Sequence, residues 1–176
     1  MKRIGITQKV YVNQALRERT DSLDQRWSAL FENFSAMIYP IPNSPTTVQK
    51  MIQEEFFNGF ILSGGNDIHG DARERDDTER VILRHVEKYS IPLLGVCRGM
   101  QMIVDYYGFS LKETPHHESV THAIQFKNKG YRVNSFHRFG FTEISAPLSI
   151  VATASDGVIE AIEHQILPIY GIMWHP

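Results

Sequence analysis

The sequence predicts an α/β fold: a mainly parallel sheet flanked by helices, with antiparallel hairpins in the C-terminal half. Three observations carry this. Short apolar runs alternate with helical patterns through the first part of the chain, as strands and crossover helices do in a parallel sheet. Two of these runs end in glycine-bearing turns, Ser63-Gly64-Gly65-Asn66 and Gly95-Val96-Cys97-Arg98-Gly99. Later segments instead alternate apolar and polar residues around tight turns, the pattern of antiparallel strands.

Arg3-Ile4-Gly5-Ile6-Thr7 reads as a short first strand that then turns polar. Trp27, Leu30, Phe31 and Phe34 recur at helical spacing between Asp24 and Phe34 and are expected to be core, with Asp21 or Ser22 as cap. Ala36 to Pro42 is extended, its prolines marking a strand that runs into a loop. Thr46 or Thr47 caps a helix to about Glu55, and Gly59-Phe60-Ile61-Leu62-Ser63 is a buried strand. After a polar stretch from His69 to Arg75, Asp77 opens a helix through Lys88, with Val81, Ile82, Val86 and Tyr89 on its buried side and Asp76 or Asp77 as cap. Ile91 to Val96 is the next strand, followed by a helical pattern from Met100 to Tyr107. Thr121–Phe126 and Tyr131–Phe136 flank a turn at Lys127-Asn128-Lys129-Gly130. Ser149–Ala154 and Val158–Glu163 form a hairpin around Asp156-Gly157, and Ile169–Trp174 is a last strand delivering His175-Pro176.

The 176 residues suit one domain, 1–176, with a sizeable core, and no linker, repeat or low-complexity tract divides it. A hydrophobic content of 42% and a charged content of 22% are ordinary for a soluble globule. A net charge of -2 gives no reason to expect nucleic acid or an anionic membrane as partner. The single cysteine excludes an internal disulfide and agrees with a reducing cytoplasm. Met1-Lys2-Arg3 is followed by polar residues too soon to be a signal peptide, and no apolar run reaches the length of a membrane span.

The most informative stretch is Gly95-Val96-Cys97-Arg98-Gly99-Met100-Gln101. A strand, a sharp turn at a nucleophile and a helix together make a nucleophile elbow. The flanking glycines permit a strained backbone and close helix–strand approach, and the helix N-terminus favours a thiolate. A cysteine nucleophile needs a base, an oxyanion donor pair and an acyl pocket. His175 ends a strand, as a positioned base should, and Gly64-Gly65 after a buried strand can turn N–H groups toward an anion. His116-His117 and His122 are spaced closely enough to suggest zinc. No cysteine or second ligand cluster accompanies them in the sequence, so no metal site is expected.

The ordered set of motifs resembles the class I glutamine amidotransferase superfamily, and within it the stand-alone γ-glutamyl hydrolase branch that includes γ-glutamyl-γ-aminobutyrate hydrolases. The resemblance rests on Gly5-Ile6-Thr7, Leu62-Ser63-Gly64-Gly65-Asn66-Asp67, Arg75-Asp76-Asp77-Thr78-Glu79, the Cys97 motif, Val133-Asn134-Ser135-Phe136-His137, Asp156 to Glu163, and Gly171-Ile172-Met173-Trp174-His175-Pro176. It implies a three-layer, flavodoxin-like arrangement and hydrolysis at a γ-glutamyl carbonyl. Cys97 would form a glutamyl thioester. His175 would take the thiol proton and later activate water. Backbone N–H groups of Gly65 and Arg98 would hold the oxyanion. Gly64, Gln101, the backbone at Ser135 and Phe136, and His137 would line the glutamyl pocket. The resemblance implies no metal or organic cofactor, and a small γ-glutamyl compound as partner, with homo-oligomerisation left open.

The family pattern continues His-Pro-Glu, the Glu orienting the histidine, whereas this sequence ends at Pro176. The expectation is that this carboxylate and the helix after it belong to a tail beyond Pro176, the alternative being a terminal carboxylate standing in for the Glu. Three functions stay open: a stand-alone hydrolase, a glutaminase subunit supplying ammonia to a separate synthetase, and a non-catalytic binding protein on the same fold. The retained Cys97 and His175 argue against the last, and no synthetase domain is present. Substrates consistent with the first are γ-glutamyl-γ-aminobutyrate, other γ-glutamyl amides such as peptides or polyamines, and the γ-glutamyl nucleotide amidates of surface-polysaccharide synthesis.

Overall fold

Alternation of apolar residues builds the first strand, β1 (Lys2–Thr7), whose last three residues are buried. In the computed structural model, which describes every residue except Glu55, the chain divides into two units, Met1–Leu93 and Leu94–Pro176. In the first, β1 is followed by a hairpin of β2 (Lys9–Asn13) and β3 (Glu18–Ser22), then α1 (Arg26–Phe31), β4 (Ala36–Ile41), α2 (Pro45–Gln53), β5 (Gly59–Leu62) and α3 (Arg73–Tyr89). β1 lies between β4 and β5 and is parallel to both, with Ile4 opposite Ile38 on one side and Gly59 on the other. Pro40 sits in β4, whose order in the sheet makes it an edge strand, where a missing N–H costs no ladder bond.

Several sequence expectations are corrected in this unit. The polar segment after β1 is an antiparallel hairpin, in register from Lys9 opposite Ser22 to Asn13 opposite Glu18. Side-chain bonds tie it down: Arg19 to Glu74 and the Asp71 carbonyl, and Asn43 to Asp21 and the Gln8 carbonyl. The Trp27-Leu30-Phe31-Phe34 stripe is not core; α1 has no buried residue and Phe34 is 57% exposed. Helical spacing marks an apolar face but not what covers it. The second helix is capped by Ser44, whose Oγ accepts from Thr47 N with Pro45 as first residue, rather than by Thr46 or Thr47. Its expected end at Glu55 lies outside the described residues. α3 begins at Arg73, before Asp77, because its first turn carries Glu74 and Asp76 and buries Arg75. Asp76 is therefore inside the helix, where Oδ2 accepts from His69 N, and neither it nor Asp77 is the cap. Val81, Ile82 and Val86 are buried as expected, but Tyr89 is exposed.

The second unit runs from β6 (Leu93–Val96), which bridges the boundary, through α4 (Arg98–Tyr106), β7 (Lys112–Glu113), β8 (Val120–Phe126), β9 (Lys129–Ser135), β10 (Phe139–Gly140), β11 (Leu148–Ala154) and β12 (Ile159–His164) to β13 (Ile169–Ile172). Its strand order is β6-β13-β12-β11-β8-β9. The β12–β13, β11–β12, β8–β11 and β8–β9 pairs are antiparallel, as the alternating pattern predicts. Lys127 and Asn128 both have positive φ, the conformation that matches a two-residue turn to strand twist. β7 and β10 form a small ribbon too short to show in a periodicity. α4 starts two residues before the pattern at Met100, and β13 ends at Ile172 rather than Trp174. Among the described residues, no helix is long and apolar enough to cross a membrane.

Candidate active site

Cys97 lies between β6 and α4 with φ 53° and ψ -110°. For a residue with a Cβ this is sparsely populated backbone, costing about 1–3 kcal/mol, and such strain persists only where surroundings enforce it. The enforcement is visible. Cys97 N donates to the Ile172 carbonyl at 2.7 Å, and the Cys97 carbonyl accepts from Gln101 N at 3.1 Å. Gly95 lets the first turn of α4 approach β6: a Cβ there would stand 2.5 Å from the Gly99 carbonyl oxygen. Gly171 does the same on β13, where a Cβ would meet Met100 Cγ at 2.7 Å. Cys97 itself is 7% exposed.

β6 and β13 are neighbours, and the Cys97–Ile172 bond brings the ends of both strands to one edge. His175 follows three residues after Ile172, half-buried. Its main chain is clamped by one side chain: His175 N donates to Asn134 Oδ1 at 2.8 Å, and Asn134 Nδ2 donates to the His175 carbonyl at 2.9 Å. The Phe136 ring meets the His175 ring edge-on, with centroids 5.5 Å apart. Sequence reasoning misses Asn134 as a site residue. Its place two residues before Phe136, inside the motif itself, is the available signal.

The other expected site residues are placed as follows. Arg98, 2% exposed, is the first residue of α4. Gln101 is buried, and its Nε2 donates to the Phe139 carbonyl at 2.7 Å. Ser135 is fully buried, its hydroxyl donating to the His117 carbonyl, which leaves its backbone as the part able to meet a ligand. Phe136 is 53% exposed. His137 is buried among Thr114, the Phe139 carbonyl and Glu160. Its ring is held by this polar cluster.

Gly64 and Gly65 follow β5 in the first unit, with Gly65 at φ 94°. The loop they begin is anchored by a buried ionic network. Arg75 and Glu79 are both fully buried, with Arg75 Nε donating to Glu79 Oε1 at 3.1 Å. Arg75 also donates to the Ser63 carbonyl at 2.6 Å and to Asn66 Oδ1 at 3.1 Å. Thr7 Oγ1 donates to Glu79 Oε1 at 2.8 Å and accepts from Ser63 N at 3.0 Å. Asn66 in turn pairs with both the N–H and the carbonyl of Val10. Such a network fixes backbone position because each of its buried polar groups has a partner.

A second polar cluster occupies the second unit. Glu160, 0% exposed, sits on β12 among apolar neighbours, with His117, His122 and His137 around Oε1. The sequence marks His116-His117 and His122 but not Glu160. A carboxylate between Ile159 and Ala161, both apolar, is the signal that could have found it. His117 Nε2 bonds to Asp156 Oδ2 at 2.8 Å. Burial raises the Asp156 carboxyl pKa, but the hydrogen bond with His117 and backbone N–H donors together bring it below its ordinary value.

The profile of the family described as "Glutamine amidotransferase class-I" matches residues 20–176. The chain is 32% identical over 182 residues to the gamma-glutamyl-CDP-amidate hydrolase of Campylobacter jejuni, an alignment covering 98% of this chain and 88% of that one. It is 30% identical over 145 residues to a glutamine-hydrolyzing GMP synthase protein of Thermococcus kodakarensis, covering 77% and 73% respectively. In fold it is similar to a glutamine amidotransferase of Thermotoga maritima, with a TM-score of 0.72 at 15% identity, over 99% of this chain and 75% of that one. The α/β architecture, the ordered motifs and the family profile agree, and the chain belongs to the class I glutamine amidotransferase family.

Proposed function

We propose that this protein is a cysteine-dependent hydrolase of a γ-glutamyl amide that acts without a synthetase, with γ-glutamyl-CDP-amidate as its substrate. The observation that carries the mechanism is the placement of Cys97 on a strained elbow at the head of α4, bonded to Ile172 three residues before His175. The Campylobacter relative, aligned over 98% of this chain, supports the substrate class.

In this reading His175 accepts the Cys97 thiol proton, and the sulfur attacks the γ-carbonyl carbon. The backbone N–H of Arg98, at the head of α4, donates to the oxyanion. As the C–N bond breaks, the histidine returns its proton to the leaving nitrogen, freeing cytidine diphosphoramidate. Water, deprotonated by His175, then attacks the glutamyl thioester; glutamate leaves and the Cys97 thiol is restored. The α4 N-terminus favours negative charge on the sulfur. Asn134 holds the His175 backbone, and Gln101, with the backbone at Ser135 and Phe136, serves the glutamyl pocket. His137, tied to Glu160, supports that pocket's wall.

A second reading has support in the Thermococcus relative: a glutaminase that passes ammonia to a synthetase partner. Glutamate release from γ-glutamyl-CDP-amidate, γ-glutamyl-γ-aminobutyrate and free glutamine, measured with the purified chain alone, separates the two. The hydrolase reading expects turnover of the nucleotide conjugate and poor turnover of glutamine. Brisk glutaminase activity that appears only when a synthetase is added would overturn it in favour of the ammonia donor.

A further inference from the structure

Hydrogen bonding satisfies the polar cluster around Glu160 only in part. Glu160 Oε1 lies 3.3 Å from His117 Nδ1, 3.4 Å from His122 Nε2 and 3.3 Å from His137 Nε2. His117 and Glu160 are 3% and 0% exposed, and His137 is 3% exposed. Among the described residues, His117 Nδ1, His122 Nε2 and Glu160 Oε2 have no hydrogen-bond partner.

The outer nitrogens explain why the inner ones face one another. His117 Nε2 stands 2.8 Å from Asp156 Oδ2, and His137 Nδ1 stands 3.1 Å from the Phe139 carbonyl. A carboxylate can only accept, so His117 Nε2 carries the proton, while His137 Nδ1 faces both the Phe139 carbonyl and the Thr114 hydroxyl. In a neutral imidazole the other nitrogen is then a lone-pair acceptor. His117 Nδ1 then presents a lone pair to a carboxylate oxygen that also only accepts, and His137 Nε2 stands 3.3 Å from the same oxygen. Converging acceptors in a dry interior favour a cation between them. Histidines whose far N–H is held by a carboxylate or carbonyl are the usual form of metal-ligating histidine.

The distances fit one class of ion. A tetrahedral centre with bonds of about 2.0–2.1 Å has ligand–ligand edges of about 3.3–3.4 Å, and zinc takes imidazole and carboxylate ligands at those lengths. The three Glu160–histidine separations are 3.3, 3.4 and 3.3 Å. One ligand atom each from His117, His137 and Glu160 lie mutually within 4.8 Å, and His122 lies outside that group, 3.4 Å from Glu160. We propose that His117, His122, His137 and Glu160 form a structural Zn2+ site, with Asp156 and the Phe139 carbonyl as its outer partners.

Four protein ligands leave no open position, which is the mark of a structural rather than catalytic zinc. Its ligands come from the segment before β8, from β8, from β12 and from the segment after β9. The end of β9 with the two residues after it, Asn134 to His137, also clamps His175 through Asn134 and supplies the Phe136 ring against it. Zinc would thus pin the segment that positions the proposed base. The low sequence specificity of the His116-His117-(x4)-His122 spacing is made up by two ligands remote in sequence.

The test is metal uptake by the whole chain in a Cys97→Ala background, which removes the one thiol that could bind metal elsewhere. None of its readouts uses turnover, so its outcome is independent of the hydrolase reading. Elemental analysis after dialysis against Zn2+ should give about one zinc per chain. Co2+ in its place should give the intense visible bands of a tetrahedral site, and chelation should lower the melting temperature. His117→Gln with His122→Gln should abolish uptake. Asp156→Asn removes no ligand from a half-exposed position and should weaken zinc binding about 10–100-fold. The proposal is overturned if the Cys97→Ala protein takes up no stoichiometric zinc, if its melting ignores both zinc and chelator, or if uptake survives the double histidine substitution.

Discussion

Replacing Gly95 with alanine tests how tightly the elbow is built. The added methyl would stand 2.5 Å from the Gly99 carbonyl oxygen, 2.6 Å from the Gly99 carbonyl carbon and 2.6 Å from Ile103 Cδ1. Comfortable contacts begin at about 3.5 Å, so the first turn of α4 must retreat by roughly 1 Å. Two of the three atoms are backbone and cannot rotate aside, and Ile103 is fully buried. Overpacking of a dense interior costs about 1–3 kcal/mol, and a rigid obstacle places this case near 3. For a chain of this size that lowers the melting temperature by roughly 6–12 °C. Because the same turn carries Cys97, a displacement of about 1 Å should also cut turnover about 100-fold. Thermal melting and glutamate release on the purified variant measure both. A melting point within roughly 2 °C of the parent, with unchanged turnover, would refute the claim that Gly95 sets the helix–strand approach.

Three other outcomes follow from the same geometry. Asn134→Ala should lower kcat by freeing the His175 backbone, with Cys97 still alkylated by iodoacetamide, and should cost about 1–3 kcal/mol for the two lost hydrogen bonds; equal kcat in the two proteins would remove Asn134 from its positioning role. Arg75→Met strands the fully buried Glu79 and should cost about 3–5 kcal/mol in a urea titration, whereas loss below about 1 would mean that water or another cation compensates. His85 has its pKa lowered, first by burial and then by nearby Lys88. It is therefore neutral in the fold, and its contribution is fully present above about pH 6.5, where the unfolded histidine is also neutral. That contribution is lost as pH falls toward and through the lowered folded value. Between pH 8 and 5 the melting temperature of the parent should fall more steeply than that of His85→Gln, and parallel curves would contradict this.

Where residues bury a continuous apolar run, the sequence declares the element. β5 and β6 are such runs, whereas β12 and the β8–β9 hairpin are placed by alternation around their turns. β2–β3 is hidden because side-chain bonds from Arg19, Asp21 and Asn43 anchor a mostly polar hairpin, and periodicity does not register such bonds. α3 begins earlier than expected because Arg75 reads as a surface residue until its partners Ser63, Asn66 and Glu79 are seen around it. The α1 stripe fails for the opposite reason: spacing names a face without naming its cover. Cys97 and His175 are legible because each follows a strand in a recognisable motif. The Glu160 cluster is not, since His117, His137 and Glu160 are far apart in sequence and only the packing of β8, β9 and β12 joins them.

The central claim is that Cys97 carries the acyl group of a γ-glutamyl amide. The most direct measurement is the rate of glutamate release from γ-glutamyl-CDP-amidate by the purified chain and by its Cys97→Ala variant, with rapid acid quenching of the parent for intact mass. The account predicts steady release by the parent alone, a glutamyl adduct on the peptide containing Cys97, and no detectable release by the variant. Turnover by Cys97→Ala within a few-fold of the parent, or an adduct on any other residue, would contradict it.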